Sequence, residues 1–237
     1  MNSMFIADAA TKNKMVVAVG LQKPPYVIEK QHSGFEIELI RAVLKEMNYS
    51  AEFVYIPFGR SWRMLGVAGI DAVMTTTDKV VKDRKKLSDV YIHYQNVAIT
   101  LKSKKYLSKI NQISALKNYS VAAFQNAKKV LGSEFNQATQ LMPAYFEIAD
   151  QKRQLKLLLQ NKVEVIIMDK NIFYYFLQEL GFKKSNINFE VHTIFPRSAY
   201  RMAFNDINKT KQFNRALKKF THSVYYQNLI AKYKLLL

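Results

Sequence analysis

The chain has 237 residues, 49% of them hydrophobic and 23% charged, which is enough for one large domain or two small ones with real cores. It contains no cysteine, which excludes disulfides, thiolate catalysis and cysteine-based metal sites, and its four histidines lack metal-ligand spacing. No stretch of about 18 uninterrupted apolar residues occurs, so we expect no membrane-spanning helix.

The net charge of +18 raises the question of nucleic-acid binding. Residues 101–200 carry 15 basic and 7 acidic side chains, and the basic excess continues through the rest of the chain. The densest run, at 82–86, is short and contains an acid. We therefore expect a basic, solvated surface that attracts anionic lipid, envelope polymers or anionic solutes, and no specific nucleic-acid recognition.

The first third of the chain alternates short apolar runs with helical patterns. The apolar runs predict three buried strands, at 15–19, 51–56 and 70–74. Helices are predicted at 34–47, where Ser33 and Glu36 have the spacing of a capping box, and at 60–67. Because the strands are apolar throughout, both faces of their sheet must be covered, which is typical of parallel β-α-β units.

The alternation restarts after a segment at 97–105, a short strand with a polar tail that we interpret as a crossover between two lobes. Further strands are predicted at 120–124, 163–168 and 200–204. Helices are predicted at 127–136, at 151–160, at 171–180 and twice more before the C-terminus.

The N-terminal ten residues are not a complete signal peptide, because they lack a basic start and a long apolar stretch. Ala7-Asp8-Ala9 has the small-x-small form of a cleavage site. We interpret the segment as the stub of a removed leader and expect a periplasmic protein, with cytoplasmic residence left open.

Several short motifs follow one another in a characteristic order. They are Pro24-Pro25-Tyr26, Gly34-Phe35-Glu36-Ile37-Glu38-Leu39, Pro57-Phe58, Gly69-Ile70-Asp71-Ala72-Val73, Ser88-Asp89-Val90-Tyr91 and Val163 through Asp169. In this order and spacing the chain resembles the type 2 periplasmic solute-binding proteins, specifically the amino-acid-binding family of ABC importers (family 3). The resemblance runs from about residue 14 to the C-terminus and is not specific for a ligand.

The resemblance implies an α/β architecture of two lobes, each a mostly parallel sheet flanked by helices. Lobe 1 would comprise 1–99 plus 201–237, and lobe 2 would be the inserted segment 100–200. The two crossovers, near 97–105 and 193–201, would form a hinge. Ligand would bind between the lobes, which agrees with the rule that ligands bind beyond the carboxyl ends of strands in open parallel sheets.

Asp169 is the best-placed acid for an amino-acid ligand, because it follows an apolar strand and precedes a helix. The resemblance implies that it holds the ligand's α-ammonium group, and the alternative is a helix N-cap. For the ligand's carboxylate the resemblance implies the hydroxyls of Thr75 and Thr76 and the guanidinium of Arg84. Aligning Arg84 requires an insertion and a deletion, and Arg84 could instead belong to a solvated basic loop.

In the second lobe the resemblance implies a turn that presents free backbone N–H groups to the ligand, formed here by Gln125, Asn126, Ala127 and Lys128. Lys23 stands where the family commonly has an aromatic residue, and Tyr26 follows it after the prolines. Phe58 matches an apolar cleft-lining position, and Arg60 resembles a variant of the family motif. Lys23, Arg60 and Arg84 on one rim would favour an anionic or acidic ligand.

These observations predict a monomeric protein that binds a small polar solute and delivers it to a membrane ABC permease, with no cofactor and no metal. A sensory module of a receptor is the first alternative, because the same fold serves as a ligand-binding domain. An enzyme would need an acid/base pair in the cleft, and no histidine accompanies Asp169.

Overall fold

The computed structural model describes residues 13–57, 60–104, 110–182 and 188–236. The strands are β1 (Asn13–Gly20), β2 (Tyr49–Ile56), β3 (Ala72–Thr76), β4 (Ile92–Tyr94), β5 (Asn96–Leu101), β6 (Val121–Phe124), β7 (Tyr145–Ile148), β8 (Val165–Asp169), β9 (Phe189–His192) and β10 (Ser198–Phe204). The helices are α1 (Phe35–Glu46), α2 (Ala127–Val130), α3 (Ser133–Thr139), α4 (Gln151–Leu159), α5 (Lys170–Glu179), α6 (Ile207–Thr221) and α7 (Val224–Tyr233).

The strands form two mixed sheets, ordered β2-β1-β3-β10-β4 and β7-β6-β8-β5-β9. In the first sheet β1 pairs in parallel with β2 and β3, as the predicted β-α-β units require. β10 instead runs antiparallel to β3 and β4, because it enters this sheet from the other lobe without a crossover helix. The predicted α/β two-lobed fold is confirmed. Each sheet is parallel except for one antiparallel strand, β10 in the first sheet and β5 in the second.

The segment predicted as a crossover at 97–105 is a strand of the second sheet over its first half. β5 lies between β8 and β9 and pairs antiparallel with both. The chain therefore passes between the sheets at Gln95 and again at 193–197. We call the part built on the first sheet, with α1, α6 and α7, the first lobe, and the part built on the second sheet, with α2 to α5, the second lobe. The lobe boundaries at 99 and 201 stay a prediction.

Helices cover the sheets with apolar faces whose spacing was visible in the sequence. In α1 the fully buried side chains include Ile37, Ile40 and Leu44, which repeat at helical intervals. Each such side chain contributes about 1.5–3 kcal/mol by leaving water. The helices α6 and α7 pack against α1. None of the helices in the described part of the chain has the length and apolar character needed to cross a bilayer.

Two predicted helices are shorter in the structure. The helix expected at 60–67 is a single 3-10 turn at Ser61–Met64, because Gly66 and Gly69 follow it with positive φ angles. The helix expected at 127–136 is divided into α2 and α3 at Gly132, whose φ is 98°. The short strands β4, β7 and β9 were not predicted.

The predicted capping box at the start of α1 is wrong. The N-cap residue is Gly34, and no side chain caps the helix. The Ser33 hydroxyl donates to the Gln31 side chain, whereas the Glu36 side chain is fully buried and bonds across the lobe. The bonds that the buried Glu36 carboxylate accepts from several donors are together stronger than the single bond it could make to the start of the helix.

Gly34 allows the loop at 23–27 to lie directly on the start of α1. Phe35 N donates to the Pro25 carbonyl at 2.9 Å, and Glu36 N donates to the Tyr26 carbonyl at 3.0 Å. Gly34 has a φ of 119°, and a Cβ there would lie 2.7 Å from the Tyr26 carbonyl carbon. Both the conformation and the close approach therefore require glycine.

We expect Gly34→Ala to lower the free energy of unfolding by about 3 kcal/mol, because the added Cβ strains the backbone and displaces the 23–27 loop. Gly181→Ala is the matched control, since Gly181 also has a positive φ, of 82°, but no atom within 4 Å of the added Cβ. Its expected loss is about 1 kcal/mol. Urea denaturation measures both values, and equal losses would show that the 23–27 loop does not depend on the close approach.

Candidate functional site

A cavity of about 710 Å³ lies between the two lobes. Residues that follow the carboxyl ends of parallel strands in both sheets line it, as the strand-end rule predicts. They are Leu21, Pro57 and Thr77 in the first lobe, and Gln125, Ala149 and the strand-terminal Asp169 in the second. The volume lies in the range of pockets that enclose small organic molecules.

Asp169 lies on the cavity wall and is 2% exposed. Its Oδ1 accepts hydrogen bonds from Tyr26 Oη at 2.9 Å and from the backbone N–H groups of Asn171 and Ile172 at 2.8 and 3.2 Å. From the described part of the chain its Oδ2 accepts one bond, donated by Gln95 N at 2.9 Å. Asp169 therefore caps α5, which was one of the two predicted roles. Since a carboxylate oxygen accepts about two bonds, Oδ2 keeps room for one more donor.

Burial raises the pKa of Asp169 to about 6, and the bonds from Tyr26, Ile172, Gln95 and Asn171 oppose this rise. Its carboxyl group is consequently poised to change charge near neutral pH. An ammonium group arriving at Oδ2 would favour the ionised form, because opposite charges in contact lower the pKa of an acid.

A second carboxylate, that of Glu36, is fully buried behind the first-lobe wall. Its Oε2 accepts bonds from Thr75 Oγ1 at 2.7 Å and from Tyr91 Oη, and its Oε1 accepts from Tyr94 Oη. Lys23 Nζ lies 4.0 Å from Oε1. The carboxylate is thus held by three hydroxyls and one cation, which makes its burial tolerable.

Lys23 lines the cavity although it is only 5% exposed. Burial lowers the pKa of Lys23, and the charges of Glu36 and Asp169 oppose that shift. Its ammonium lies 5.5 Å from the centre of the Tyr94 ring. Lys23 is therefore a buried cation between the two acids and not part of an exposed rim.

The two threonines at the end of β3 have different environments. Thr75 has a φ of 54°, and its N–H donates to Tyr91 Oη at 2.9 Å while its hydroxyl donates to Glu36. Thr76 is 3% exposed, and its hydroxyl has no hydrogen-bond partner among the described residues. Both residues line the cavity. The Thr76 hydroxyl is thus buried beside the cavity with a hydrogen-bonding capacity that the described residues leave unused.

The structure brings together about half of the predicted site residues. Those lining the cavity are Lys23, Thr75, Thr76, Gln125, Asn126 and Asp169. Tyr26 is fully buried and stacks on Tyr94 with ring centres 4.1 Å apart, so it supports the wall from behind. Phe58 lies outside the described residues.

The two predicted arginines do not line this cavity. Arg84 is on the surface, its side chain 82% exposed and paired with Asp78 at 3.3 Å. Arg60 is also exposed and outside the cavity lining. The cations that do line the cavity besides Lys23 are Arg63, Lys79, Lys129 and Arg197. The sequence did not single them out, because none of them belongs to a recognisable motif and they come from separate segments: a 3-10 turn, the helix α2 and two irregular stretches.

The expectation of free amides in the second-lobe turn is wrong for two of its residues. Asn126 N donates to Glu147 Oε2 at 2.7 Å, and Lys128 N donates to Glu147 Oε1 at 3.1 Å. Tyr145 Oη donates to the same Oε1 at 2.9 Å. The unpredicted strand β7 brings Glu147 beside β6, so an internal carboxylate takes the place expected for the ligand. Ala127 is buried and, like Lys128, outside the cavity lining.

Two mixed sheets flanked by helices, with a solute-sized cavity between them, define a two-lobed binding protein of the periplasmic binding-protein fold. The chain belongs to the bacterial extracellular solute-binding proteins, family 3, whose family model matches residues 15–235. The comparison with curated protein sequences finds no match.

Solved structures with the same fold include proteins of several kinds. An ancestral arginine-binding protein bound to arginine has a TM-score of 0.72 and 18% identity, covering 93% of this chain and 98% of that chain. The GluR0 ligand-binding core in complex with L-glutamate has a TM-score of 0.74 and 18% identity, covering 95% and 99%. A histidine kinase sensor domain similar to periplasmic binding proteins has a TM-score of 0.74 and 15% identity, covering 94% and 96%. At these identities the likeness shows the fold alone.

We expect Asp169 to make stability depend on pH in a definite direction. The folded protein holds the Asp169 proton up to about pH 6, whereas the unfolded chain releases it near 3.8. The resulting stabilisation, up to about 3 kcal/mol, is complete below the unfolded value and lost as pH rises through about 6.

Asp169→Asn does not titrate, so the free energy of unfolding of the unaltered protein relative to this variant should fall between about pH 4 and about pH 7. Urea denaturation across that range measures the difference. A constant or rising difference would show that the four donors, and not burial, control the pKa of Asp169.

We expect Glu36→Gln to lower the free energy of unfolding by about 3 kcal/mol, because it leaves the Lys23 cation buried without its nearest carboxylate. Glu46→Gln on the same helix is the control, since that side chain is 48% exposed and its ion pair with Lys219 contributes less than about 1 kcal/mol. Adding Lys23→Met to Glu36→Gln should restore part of the loss. Equal losses in the two single variants would contradict the role of the buried pair.

Proposed function

We propose that this protein binds a small polar solute, an amino acid or a related and possibly acidic compound, between its lobes and delivers it to an ABC importer. One observation carries the proposal. The cavity has a buried cation on its first-lobe wall, Lys23, and a buried acid on its second-lobe wall, Asp169. A solute with both charges would contact both lobes at once.

The vacant acceptor direction on Asp169 Oδ2 supports binding of an ammonium group. On the opposite wall, the Thr76 hydroxyl, which has no partner among the described residues, and the ammonium of Lys23 are candidate donors for the carboxylate of a ligand. Four further cations on the cavity lining, among them Arg63 and Arg197, favour a ligand with additional negative charge. The predicted preference for an acidic compound therefore rests on these residues, and not on Arg84.

We infer that the two lobes move about the connections at 95 and 193–197, and that ligand selects the closed arrangement. The lobes already meet through the Tyr26–Asp169 bond and through Leu236 N, which donates to Asn171 Oδ1 at 2.8 Å. We further propose binding without catalysis. Asp78 and Asp169 are the carboxylates among the described lining residues, and no histidine lies beside them to complete an acid/base pair.

We propose that the protein works outside the cytoplasm, in the periplasm, as a monomer that docks on a membrane permease. The family to which the chain belongs is one of extracellular solute-binding proteins, which supports this location. A sensory role is the second candidate, and the likeness to a histidine kinase sensor domain favours it. Loss of solute uptake in a strain lacking the protein would support transport, and loss of a solute-induced response with normal uptake would support sensing.

We expect a thermal-shift screen of amino acids, dicarboxylates and small peptides to identify ligands that carry an amine. A ligand at 100 times its dissociation constant should add about 2.7 kcal/mol of stability. Asp169→Ala should weaken binding of amine-bearing ligands about 100-fold, because it removes the acceptor for the ammonium.

Asp150→Ala is the matched control for this variant. Asp150 is the N-cap of α4 as Asp169 is of α5, but it does not line the cavity. It should lose about 1 kcal/mol of stability and keep its ligand affinity. Isothermal titration calorimetry measures both affinities, and an Asp169→Ala protein that binds every amine-bearing ligand as tightly as before would refute the ammonium site.

A further inference from the structure

The helix α6 carries a row of cations on the surface of the first lobe, and three of them have no ion pair with another described residue. Residues 207–221 contain five basic side chains and no acid. Lys209 and Lys219 pair with acids of neighbouring elements, Asp71 at 3.4 Å and Glu46 at 3.1 Å. The other three basic residues of this helix, Lys211, Arg215 and Lys218, are exposed and have no ion pair within the described part of the chain.

These three residues form one stripe. Their spacing of four and then three residues places them on the same side of the helix, about 5–6 Å apart. Asn214 lies on the helix surface between Lys211 and Lys218, and its side-chain oxygen accepts a bond from Asp89 N at 2.8 Å. The helix is therefore held in a defined position beside the segment that precedes β4.

The basic run at 82–86 lies next to this stripe. The Thr210 hydroxyl donates to the Lys86 carbonyl at 3.3 Å, which joins the run to α6. Lys82 and Lys85 are exposed, whereas the neighbouring Asp83 is occupied in capping, accepting from Lys85 N at 3.1 Å. We call Lys82, Lys85, Lys211, Arg215 and Lys218 together the basic face. None of its members lines the cavity.

Two exposed apolar side chains lie where α6 ends and α7 begins. Val224 is 77% exposed and Tyr225 is 54% exposed, and the Tyr225 ring packs on Phe220 of α6 at 5.7 Å between ring centres. Val224 and Tyr225 therefore stand at the C-terminal end of the helix that carries the stripe, and an exposed tyrosine together with long lysine side chains suits the boundary between phospholipid headgroups and acyl chains.

We propose that the basic face, with Val224 and Tyr225, docks the protein on an anionic phospholipid bilayer. Four of its five cations are lysines, which act as point charges and need no paired geometry from a partner, as a fluid layer of headgroups requires. Because none of the five cations lines the cavity, docking through them uses no residue of the cavity wall.

The test is co-sedimentation of the full chain with vesicles of phosphatidylcholine alone and of phosphatidylcholine with about 30% phosphatidylglycerol. We expect binding to the anionic vesicles only, weakening as added salt shortens the screening length from about 10 Å to about 3 Å. The variant Lys211→Gln/Arg215→Gln/Lys218→Gln should bind roughly 100-fold more weakly, at roughly fivefold per lost charge near an anionic surface.

The matched control removes the same charge from the second lobe, as Lys117→Gln/Arg153→Gln/Lys156→Gln. These three residues are also exposed and lie outside the cavity lining. The control should change vesicle binding less than fivefold, and both variants should keep the melting temperature of the unaltered protein. Tyr225→Ser should weaken binding further without a change in net charge.

Three outcomes would overturn the proposal. The first is no preference for anionic over neutral vesicles. The second is an equal loss in the two triple variants, which would mean that net charge alone attracts the protein to lipid. The third is tighter binding to duplex DNA than to anionic vesicles through the same three residues, which would assign the basic face to nucleic acid.

Discussion

Two carboxylates, Glu36 and Asp169, are buried where the lobes meet. The need to surround their negative charges with donors and cations constrains the neighbouring structure. An ionised carboxylate in a dry environment is stable only when donors or cations surround it. Glu36 accepts hydrogen bonds from three hydroxyls and pairs with Lys23. Asp169 accepts hydrogen bonds from three backbone N–H groups and from the Tyr26 hydroxyl. The loop that carries both Lys23 and Tyr26 is consequently tied to each acid, and with it the first lobe to the second.

This arrangement occupies several of the polar groups that a ligand could otherwise contact. Several donors and acceptors on the cavity wall are already used by the protein, and Glu147 accepts bonds from two amides of the second-lobe turn. Among the described lining residues, the groups with remaining capacity include the Asp169 Oδ2 acceptor, the Thr76 hydroxyl and the Gln151 Oε1 acceptor, accompanied by the charge of Lys23. A preorganised wall with a few open positions is what a selective binding protein needs, because the ligand does not have to order it.

The charges of the molecule are separated by depth. The buried charged groups at the cavity are the cation Lys23 and the acids Glu36 and Asp169, whereas the other cations of the lining are exposed and the whole chain carries a net charge of +18. The long-range field therefore attracts anions in general, and the inner pairs decide which solute is retained. The long-range field thus affects how often the protein meets anionic solutes and surfaces, and the inner charged groups affect the specificity of binding.

Much of the fold followed from local sequence patterns. The apolar runs located β1, β2, β3, β6 and β8, and the periodicity located α1, α4, α5 and the two C-terminal helices, because burial of one face imposes a repeat on the sequence. The short strands β4, β7 and β9 were missed, since three or four residues carry too little pattern.

The sequence by itself determined the two-lobed α/β class, the family and the position of Asp169 at a strand end facing the cavity. Only the tertiary structure decided which charges meet. It buried Glu36, moved Arg84 out to the surface and set Glu147 in the turn at 126–128. The physical reason is that the spacing of apolar residues along a helix or strand indicates only which of its sides is buried. The pairing of charges instead depends on residues brought together from distant parts of the chain, such as Tyr26 and Asp169, 143 positions apart.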